Sequence, residues 1–296
     1  MVAIVGRPNV GKSTLLNMIV GEKVAIVSKV PQTTRHQIRG IYHDERRQII
    51  FIDTPGIHSG KDRLDHFMNQ CSTGTIHDVD CVIHLADTSR TVGKEEERVV
   101  SYLKNIETPI ILGLNKTDLN ADFLPEYISL WEKMKNKPVN EFKNFTILPL
   151  SGKKGTNVDK LIEIIFEYLP EGPALYPADT VCDVPQKMVM ADIIREKLLF
   201  IMREEVPHSL AVVVQALEPR KNNVTYVNAM ILVERESQKE IVIGKNGQIL
   251  KKIGTQARLD LEDLLEKKVF LELYVKMKKN WRDDPSLLQE LGYAQA

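Results

Sequence analysis

Residues 6–13 have the sequence GRPNVGKS, that is Gly6-Arg7-Pro8-Asn9-Val10-Gly11-Lys12-Ser13. This is the phosphate-loop pattern G-x-x-x-x-G-K-[ST]. The apolar run at residues 2–5 predicts a buried strand before the loop, and residues 14–20 predict a helix after it. In this context, backbone N–H groups and the helix N-terminus bind phosphate, and the lysine neutralises the β- and γ-phosphates. The stretch therefore predicts a nucleotide site at the end of the first strand.

The composition of the chain is that of a globular protein with two domains. Its 296 residues are 43% hydrophobic and 27% charged, with a formal net charge of zero. A single core rarely grows to this size, so we expect two domains. The three cysteines are too widely spaced for a zinc or disulfide pattern, and no segment approaches the roughly 20 apolar residues of a membrane span. We therefore expect a cytoplasmic protein with reduced thiols and no signal peptide.

Strands and helices alternate through the first half of the chain. Strands are predicted at residues 38–42, 48–52, 79–86, 109–114 and 145–150. Helices are predicted at residues 61–77, 94–106 and 157–169, a hairpin turn at residues 44–47, and a solvated loop at residues 131–145. This alternation predicts a doubly wound, mainly parallel α/β sheet, which binds ligands outside the carboxyl ends of its strands.

Two motifs in this half predict the metal ligands. The DTPG motif follows a predicted strand; Asp53 is expected to hold Mg²⁺, and the Gly56 N–H to meet the γ-phosphate. The polar loop at residues 24–36 contains QTTRH, from which Thr34 is the predicted Mg²⁺ ligand and Thr33 the alternative. The predicted metal ligands are Ser13, Thr34 and Asp53.

The NKTD motif at the end of a later strand predicts the base. The Asp118 carboxylate can accept hydrogen bonds from guanine N1–H and the 2-amino group, whereas adenine would leave it desolvated and unpaired. Asn115 is expected to tie the loops together, Lys116 to cover the base, and the SGK motif at residues 151–153 to supply backbone contacts. The predicted GTP contacts are Gly6, Arg7, Pro8, Asn9, Val10, Gly11, Lys12, Ser13, Thr14, Asp53, Thr54, Pro55, Gly56, Asn115, Lys116, Asp118, Ser151, Gly152 and Lys153.

These residues predict GTP hydrolysis with slow intrinsic turnover. Ras-like enzymes place a water-orienting glutamine directly after the D-x-x-G motif, where this chain has Ile57. A catalytic group must then come from another loop residue, a partner or a monovalent cation. The amide oxygen of Asn9 is a candidate ligand for K⁺ beside the phosphates; the alternative is that Asn9 only shapes the loop. The predicted catalytic residues are Asn9, Lys12, Thr34 and Gly56.

The second half has a different order of elements. A segment rich in Pro and Gly at residues 171–186 predicts a linker. It is followed by a predicted helix, two strands, a short helix, the G-x-x-G sequence at residues 244–247, a long helix and a last strand. The predicted domains are a GTP-binding domain at residues 1–170, an RNA-binding domain at 187–284 and a C-terminal tail at 285–296.

G-x-x-G between two helices predicts a backbone that can approach nucleotide phosphates closely. Residues 241–282 contain ten basic and five acidic side chains in an otherwise neutral chain, which favours single-stranded RNA as ligand. The predicted RNA contacts are Ile243, Gly244, Lys245, Asn246, Gly247, Lys251, Lys252, Arg258, Lys278 and Trp281.

The motifs GRPNVGKS, QTTRH, DTPG, NKTD and the C-terminal VIGKNG together resemble those of the Era family. Members are GTPases of small-ribosomal-subunit assembly that pair a P-loop GTPase domain with a type-II KH domain. The resemblance implies that the KH domain binds the 3′ end of 16S ribosomal RNA in a GTP-dependent way, and that the protein contacts the inner face of the cell membrane peripherally. We also expect a monomer. The chain departs from the family at Gly152, where alanine is usual.

Two other functions stay open at this point. One is a tRNA-modification or large-subunit GTPase that shares the Asn9 and Ile57 features, against which the KH pattern argues. The other is an RNA-binding adaptor with a vestigial nucleotide site. Intact residues at each nucleotide motif, Lys12 and Asp118 among them, argue against it.

Overall fold

The computed structural model describes residues 1–45 and 47–293. The chain divides into two compact units. The first consists of Met1–Lys61 and Asp65–Asp183, and the second of Asp62–Leu64 and the residues from Val184 onward.

The first unit is built on a six-stranded sheet with the order β2-β3-β1-β4-β5-β6, parallel except for β2. Its strands are β1 Val2–Val5, β2 Ile38–His43, β3 Gln48–Asp53, β4 Cys81–Asp87, β5 Ile110–Asn115 and β6 Phe145–Pro149. Its helices are α1 Lys12–Val20, α2 Arg63–Thr75 except for its first two residues, α3 Lys94–Leu103, α4 Leu124–Lys135 and α5 Val158–Tyr168. The predicted doubly wound, mainly parallel sheet is confirmed. The predicted hairpin turn includes residue 46, which lies outside the described residues.

Strand β1 is buried along its whole length because helices cover both faces of the sheet. Ala3 and Val5 pack in one core with α3 and α4, and α1 packs on β2 and β3. The register pairs Ile4 with Asp53, and Asp87 with Asn115. The sequence motifs that follow these strands therefore meet at one edge of the sheet, outside the carboxyl ends of the strands.

The expected solvated loop at residues 131–145 is wrong for residues 131–135, which belong to α4, whereas most of residues 136–144 are exposed. Trp131 lies in α4 and is fully buried, and the rings of Phe142 and Phe145 meet it edge-on with centroids 6.5 and 4.9 Å away. The lysines between these aromatic residues suggested solvent exposure. Instead, the Lys135 Nζ atom lies over the Phe142 ring, 5.1 Å from its centroid.

Residues 171–183, predicted as a linker, belong to the first unit and lie beside its edge strand. Val181 and Asp183 exchange backbone hydrogen bonds with β2, from Ile41 N to Val181 O at 2.9 Å and from Asp183 N to Arg39 O at 3.0 Å. The Gln48 side chain donates to Tyr176 O at 2.8 Å. The prolines exclude regular structure here, but they do not prevent the segment from pairing with a strand edge.

The second unit packs helices on one face of the three-stranded sheet β7-β8-β9, in which β7 and β8 are antiparallel and β8 and β9 parallel. Its elements are α6 Gln186–Ile201, β7 Ala211–Arg220, β8 Val224–Val233, α7 Glu236–Ile243, α8 Gln248–Leu265, β9 Lys268–Met277 and α9 Pro285–Glu290. The predicted tail thus begins with a helix, capped by Asp284 and anchored by buried Leu288 and Tyr293; residues 294–296 lie outside the described part. In the described residues, no helix combines the length and apolarity needed to cross a membrane.

Candidate functional site

A cavity of about 530 Å³ lies at the carboxyl ends of the strands in the first unit. Predicted GTP contacts that line it are Pro8, Asn9, Gly11, Lys12, Ser13, Thr14, Gly56, Asn115, Lys116, Asp118 and Lys153, and Thr34, a predicted metal ligand, lines it as well. Lining residues that the motifs did not predict include Ile26, Val27, Ser28, Lys29, Gln32, Arg90 and Leu119. Predicted contacts that do not line it are Gly6, Arg7, Val10, Asp53, Thr54, Pro55, Ser151 and Gly152.

The phosphate loop closes around its own lysine. The Lys12 Nζ atom lies 3.3 Å from Gly6 O and 3.2 Å from Arg7 O, and the side chain is only 6% exposed. Gly11 precedes α1 with φ at 104°, and a Cβ there would lie 2.6 Å from Asn115 Nδ2. Both the backbone conformation and the close approach therefore require glycine at this position.

Burial lowers the pKa of the Lys12 ammonium to about 8, although the negative charges of Asp53 and Glu96 oppose the shift. A bound phosphate would add negative charge beside the ammonium and favour its protonated form. The lysine therefore loses its proton at a lower pH in the free loop than beside a bound anion.

Three predicted metal ligands converge in the structure. Ser13 Oγ lies 2.6 Å from Asp53 Oδ2 and 2.9 Å from Thr34 Oγ1, and Thr34 Oγ1 lies 3.3 Å from Asp53 Oδ2. The other oxygen, Asp53 Oδ1, is buried with no hydrogen-bond partner among the described residues. Burial raises the pKa of Asp53, and this effect is larger than that of the Lys12 charge, which lowers the pKa. An orphaned oxygen beside two hydroxyls fits a hard divalent cation such as Mg²⁺.

The two candidate threonines in the QTTRH sequence point in different directions. Thr33 Oγ1 donates to Val30 O at 2.7 Å and contacts Ser28 Oγ at 2.7 Å. Thr34 Oγ1 instead faces Ser13 and Asp53. The geometry therefore favours Thr34 over Thr33 as the metal ligand.

Asn115 ties two loops together, as its position predicts. Its Nδ2 donates to Val10 O at 2.8 Å, and its Oδ1 accepts from Gly152 N at 2.9 Å. Asp118 Oδ1 accepts from Ser151 Oγ at 2.6 Å, which orients the carboxylate that is predicted to bind guanine. A Cβ at Gly152 would lie 3.2 Å from Leu15 Cα, so glycine lets this loop pack closely on α1. The Gly152 N–H, a predicted base contact, is engaged by Asn115 here.

Lys116 bridges the base loop and the phosphate loop. Its Nζ donates to Asn9 O and to Asp87 Oδ2, both at 2.8 Å. Burial would raise the pKa of Asp87, but hydrogen bonds from Lys116 and Ser89 outweigh it and lower that pKa. The carboxylate at the end of β4 thus fixes the lysine stem above the cavity.

A buried hydrogen-bond network that the motifs did not predict contacts the phosphate loop through Arg7. Arg7 Nε donates to Glu96 Oε2 at 2.8 Å, and Glu96 Oε1 contacts His84 Nε2 at 2.7 Å. Trp131 Nε1 donates to His84 Nδ1 at 3.1 Å. In the run of charged residues that opens α3, Glu96 is buried, whereas Lys94, Glu95, Glu97 and Arg98 are exposed. Val99 and Val100, one helical turn later, mark the face that carries Glu96 as buried.

Ile57 is fully buried in the core that includes Ala3 and Val82, and its N–H donates to Gly6 O at 3.1 Å. The side chain is directed away from the cavity as well as lacking a polar atom. No water-orienting group is therefore available at this position.

The second unit contains the G-x-x-G loop between α7 and α8. Gly244 and Gly247 both have φ at 72°, and a Cβ at Gly244 would lie 2.6 Å from Ile249 Cγ1. Lys245 and Asn246 between them are exposed. The loop therefore presents backbone and one ammonium group to solvent ahead of a helix N-terminus.

A groove of about 400 Å³ continues from this loop between α8 and β9. It is lined by Gly247, Leu250, Lys251, Gly254, Thr255, Arg258, Leu271 and Leu273. Gly254 and Thr255, which are small, leave room in the middle of α8 above a floor of Leu271 and Leu273, and two cations of α8 line the groove before and after them, Lys251 and Arg258. Of the cations, Arg258 also contacts Glu262 at 3.6 Å.

One predicted RNA contact is wrong. The Trp281 ring is fully buried and its Nε1 donates to Ser209 O at 2.8 Å, so it has no face to stack on a base. Lys278 pairs with Asp284 at 3.2 Å, and exposed Lys252 lies outside the groove. Ile243, Gly244, Lys245 and Asn246 also do not line it.

Comparison with known proteins bears on both units. A family model described as a 50S ribosome-binding GTPase matches residues 1–116, and one described as a KH domain matches residues 205–282. A GTPase Era from Caldanaerobacter subterraneus subsp. tengcongensis is 47% identical over 295 residues, covering 99% of this chain and 97% of that protein. The chain belongs to the Era family of GTPases.

Solved Era structures match as well. One is described as Era in complex with MgGDPNP and nucleotides 1506–1542 of 16S ribosomal RNA; it has a TM-score of 0.92 and 38% identity, covering 99% of this chain and 98% of the other. A variant of Aquifex aeolicus Era bound to GDP.AlF4- has a TM-score of 0.91 and 39% identity, with the same coverage. The predicted pairing of a GTPase domain with a KH domain is confirmed, and this Era-family chain is a GTPase.

Proposed function

We propose that the chain binds the 3′ end of 16S ribosomal RNA in its second unit, under the control of GTP bound and hydrolysed in its first, during assembly of the 30S subunit. The observation that carries the proposal is the groove beside the G-x-x-G loop, lined by Lys251 and Arg258 of α8, in a chain whose first unit has a cavity lined by residues of the GTP-binding motifs. The Era described with MgGDPNP and a 16S ribosomal RNA fragment supports the same pairing of ligands.

In the first unit, Lys12 neutralises the β- and γ-phosphates, and Ser13, Thr34 and Asp53 hold Mg²⁺. The metal supplies charge neutralisation between the phosphates when bound. The Gly56 N–H contacts the γ-phosphate, and Asp118 recognises guanine through its carboxylate, which Ser151 orients. Positioning and charge neutralisation thus account for the chemistry, because phosphoryl transfer demands little covalent work from the protein.

The nucleotide site also offers a K⁺ ligand. Asn9 has φ at 63°, and its Nδ2 donates to Lys29 O at 2.9 Å, which leaves Oδ1 as the amide atom for a cation. We include K⁺ as a second cation beside the phosphates. It would supply the catalytic group for GTP hydrolysis, because the Ile57 side chain has no polar atom. The positive φ of Asn9 equally suits the alternative, in which the residue only shapes the loop.

In the second unit, the backbone of the G-x-x-G loop approaches the RNA phosphates, Lys245 and Lys251 supply charge, and the leucine floor receives bases. A cytoplasmic monomer is the expected form. Peripheral contact with the inner face of the membrane stays a prediction that comes from the family resemblance alone.

The test measures the dissociation constant of the full chain for an RNA with the 3′ sequence of 16S ribosomal RNA, in GDPNP, in GDP and without nucleotide. We expect binding to be at least about tenfold tighter with GDPNP, the range of ordinary allosteric coupling. GTP hydrolysis, followed in K⁺ and in Na⁺, should be faster in K⁺. A scrambled RNA of the same composition is the control. Equal affinity for both RNAs would contradict the assigned ligand, and equal affinity in all nucleotide states would contradict the coupling.

A further inference from the structure

Three side chains outside the metal and phosphate contacts form a cluster in the first unit. Gln32 lies two residues before Thr34, His58 lies two residues after Gly56, and Asp65 is in the first turn of α2. His58 is 8% exposed and Asp65 is 3% exposed. The cluster thus joins the loop that carries a metal ligand to the loop that carries the γ-phosphate contact.

The distances within the cluster assign its protons. His58 Nδ1 lies 2.7 Å from Gly56 O, which only accepts, so Nδ1 carries a proton. Gln32 Nε2 lies 3.1 Å from Asp65 Oδ1; this contact orients the amide, since its oxygen there would face a carboxylate. The same Nε2 atom lies 2.8 Å from His58 Nε2, and it can donate there only when that nitrogen carries no proton. His58 is neutral in this arrangement.

A second proton on His58 is incompatible with the contact to Gln32. That proton would sit on Nε2, where Gln32 already presents a donor, and it would turn the imidazole toward Asp65 Oδ1 at 3.1 Å. Protonation therefore replaces Gln32 by Asp65 as the partner of His58. Asp65 Oδ1 also accepts from Gln32 Nε2 at 3.1 Å, so the loops then keep only an indirect connection through Asp65 of α2, and the direct contact between Gln32 and His58 is lost.

We propose that Gln32 and His58 form a link between the Thr34 loop and the Gly56 loop, and that this link positions both loops for GTP hydrolysis. The proposal rests on the roles of Thr34 and Gly56 given under the proposed function. Since Ile57 supplies no polar group, the relative placement of these two loops is what remains to set the geometry at the γ-phosphate. Gln32 and His58 are positioning residues that act through Thr34 and Gly56.

The link is sensitive to pH. Burial alone would lower the pKa of His58, but hydrogen bonds with Asp65 and Gly56 O, and the charges of Asp65 on α2 and Glu95 on α3, outweigh it and raise that pKa above 6.5. The protonated fraction, and with it loss of the link, therefore grows as the pH falls through a value above 6.5. The rate of GTP hydrolysis should therefore decline as the pH falls.

The experiment compares single-turnover GTP hydrolysis by the full chain and its variants from about pH 6 to 9, alongside the dissociation constant for GTP. Gln32→Ala should lower the rate constant at pH 8 by about tenfold, leave the dissociation constant within about threefold and flatten the acidic limb. Gln32→Glu should shift the optimum to lower pH, because its carboxylate accepts from protonated His58. Gln37→Ala is the matched control. Gln37 lies in the same loop, and its Nε2 donates to Cys71 O at 3.2 Å and to Thr75 Oγ1 at 2.7 Å, both in α2.

Thr34→Ala separates failure of the link from failure of the proposed roles. Hydrolysis lost in Thr34→Ala but unchanged in rate and pH profile in Gln32→Ala would overturn the link alone. Hydrolysis retained in Thr34→Ala would overturn the roles on which the link rests. A Gln32→Glu profile that coincides with wild type would also overturn the link, since that variant retains the side-chain volume. Melting curves in GDP confirm that each variant is folded.

Discussion

The phosphate loop and the G-x-x-G loop use the same means for different ligands. Both place glycines at positive φ immediately before a helix, but Lys12 is 6% exposed and bonded to its own loop, whereas Lys245 is exposed. A buried lysine suits one ligand of fixed shape, whose phosphates replace the carbonyls around it. An exposed lysine suits a polymer that arrives with counterions and in many conformations. The same local geometry thus serves chemistry in one unit and adaptable binding in the other.

The largest effect should separate the two lysines. Lys12→Ala leaves the phosphates without a buried partner charge and should weaken GTP binding by about 100- to 1,000-fold. Lys245→Ala removes one exposed charge and should weaken RNA binding by no more than about fivefold. Titrations of each variant with both ligands measure this difference. Similar losses at both sites would contradict the contrast between buried and exposed cations.

A smaller effect should follow from Asp118→Asn. This change removes a charged acceptor from guanine and should weaken GTP binding by about 30- to 150-fold. Xanthosine triphosphate should gain affinity, because the new amide can donate to the oxygen at position 2 of its base. Ser151→Ala, which removes only the hydroxyl that orients Asp118, is the milder comparison. Competition binding measures the ratio, and unchanged preference for guanine would refute the assigned contact.

The pH dependence of nucleotide binding should reveal the buried lysine. With a pKa of about 8, Lys12 is protonated in the free protein below that pH, and affinity should not vary there on its account. Above pH 8, binding must take up a proton, so the dissociation constant should rise by up to about tenfold per pH unit. Titration calorimetry in buffers of different ionisation enthalpy measures the uptake. Lys12→Arg should abolish it, and uptake that persists in that variant would place the proton elsewhere.

The smallest effect concerns the groove of the second unit. Lys251→Ala should lower the slope of log affinity against log salt by about 0.7, the value for one phosphate contact to a single strand. Lys252→Ala, the exposed neighbour outside the groove, should change the slope less. Both variants should hydrolyse GTP as wild type does when RNA is absent. Equal salt-dependence slopes for the two variants would show that the RNA backbone does not follow the groove.

The nucleotide site could be predicted from the sequence because its motifs are contiguous and follow strand ends. Lys12, Ser13, Thr34 and Asp118 lie where the order of elements predicts, since parallel strands bring their carboxyl ends to one edge. The supporting network of Arg7 could not be found in this way. Its partners come from separate elements and carry no shared local pattern.

In the second unit, the sequence predicted a contact that the structure does not have. A tryptophan among lysines and an arginine has the composition of an RNA contact, yet Trp281 fills the core. The local sequence shows which residues are neighbours along the chain. Stacking on a base requires an exposed aromatic face, and the tertiary packing decides whether a face is exposed. Leu271 and Leu273 form the floor of the groove, but their period-two spacing is that of an ordinary strand. Their place in the groove therefore could not be predicted from the sequence.

The segment at residues 171–183 has a practical consequence for anyone who divides this chain. Strand β2 is the outer strand of its sheet, and an uncovered outer strand is a template for pairing between molecules. Cys182 pairs antiparallel with Gly40, which occupies part of that template. A GTPase fragment that stops at residue 170, where the pattern of elements suggests a natural end, would carry a bare strand edge into solution. A fragment that continues to Asp183 keeps its own edge covered.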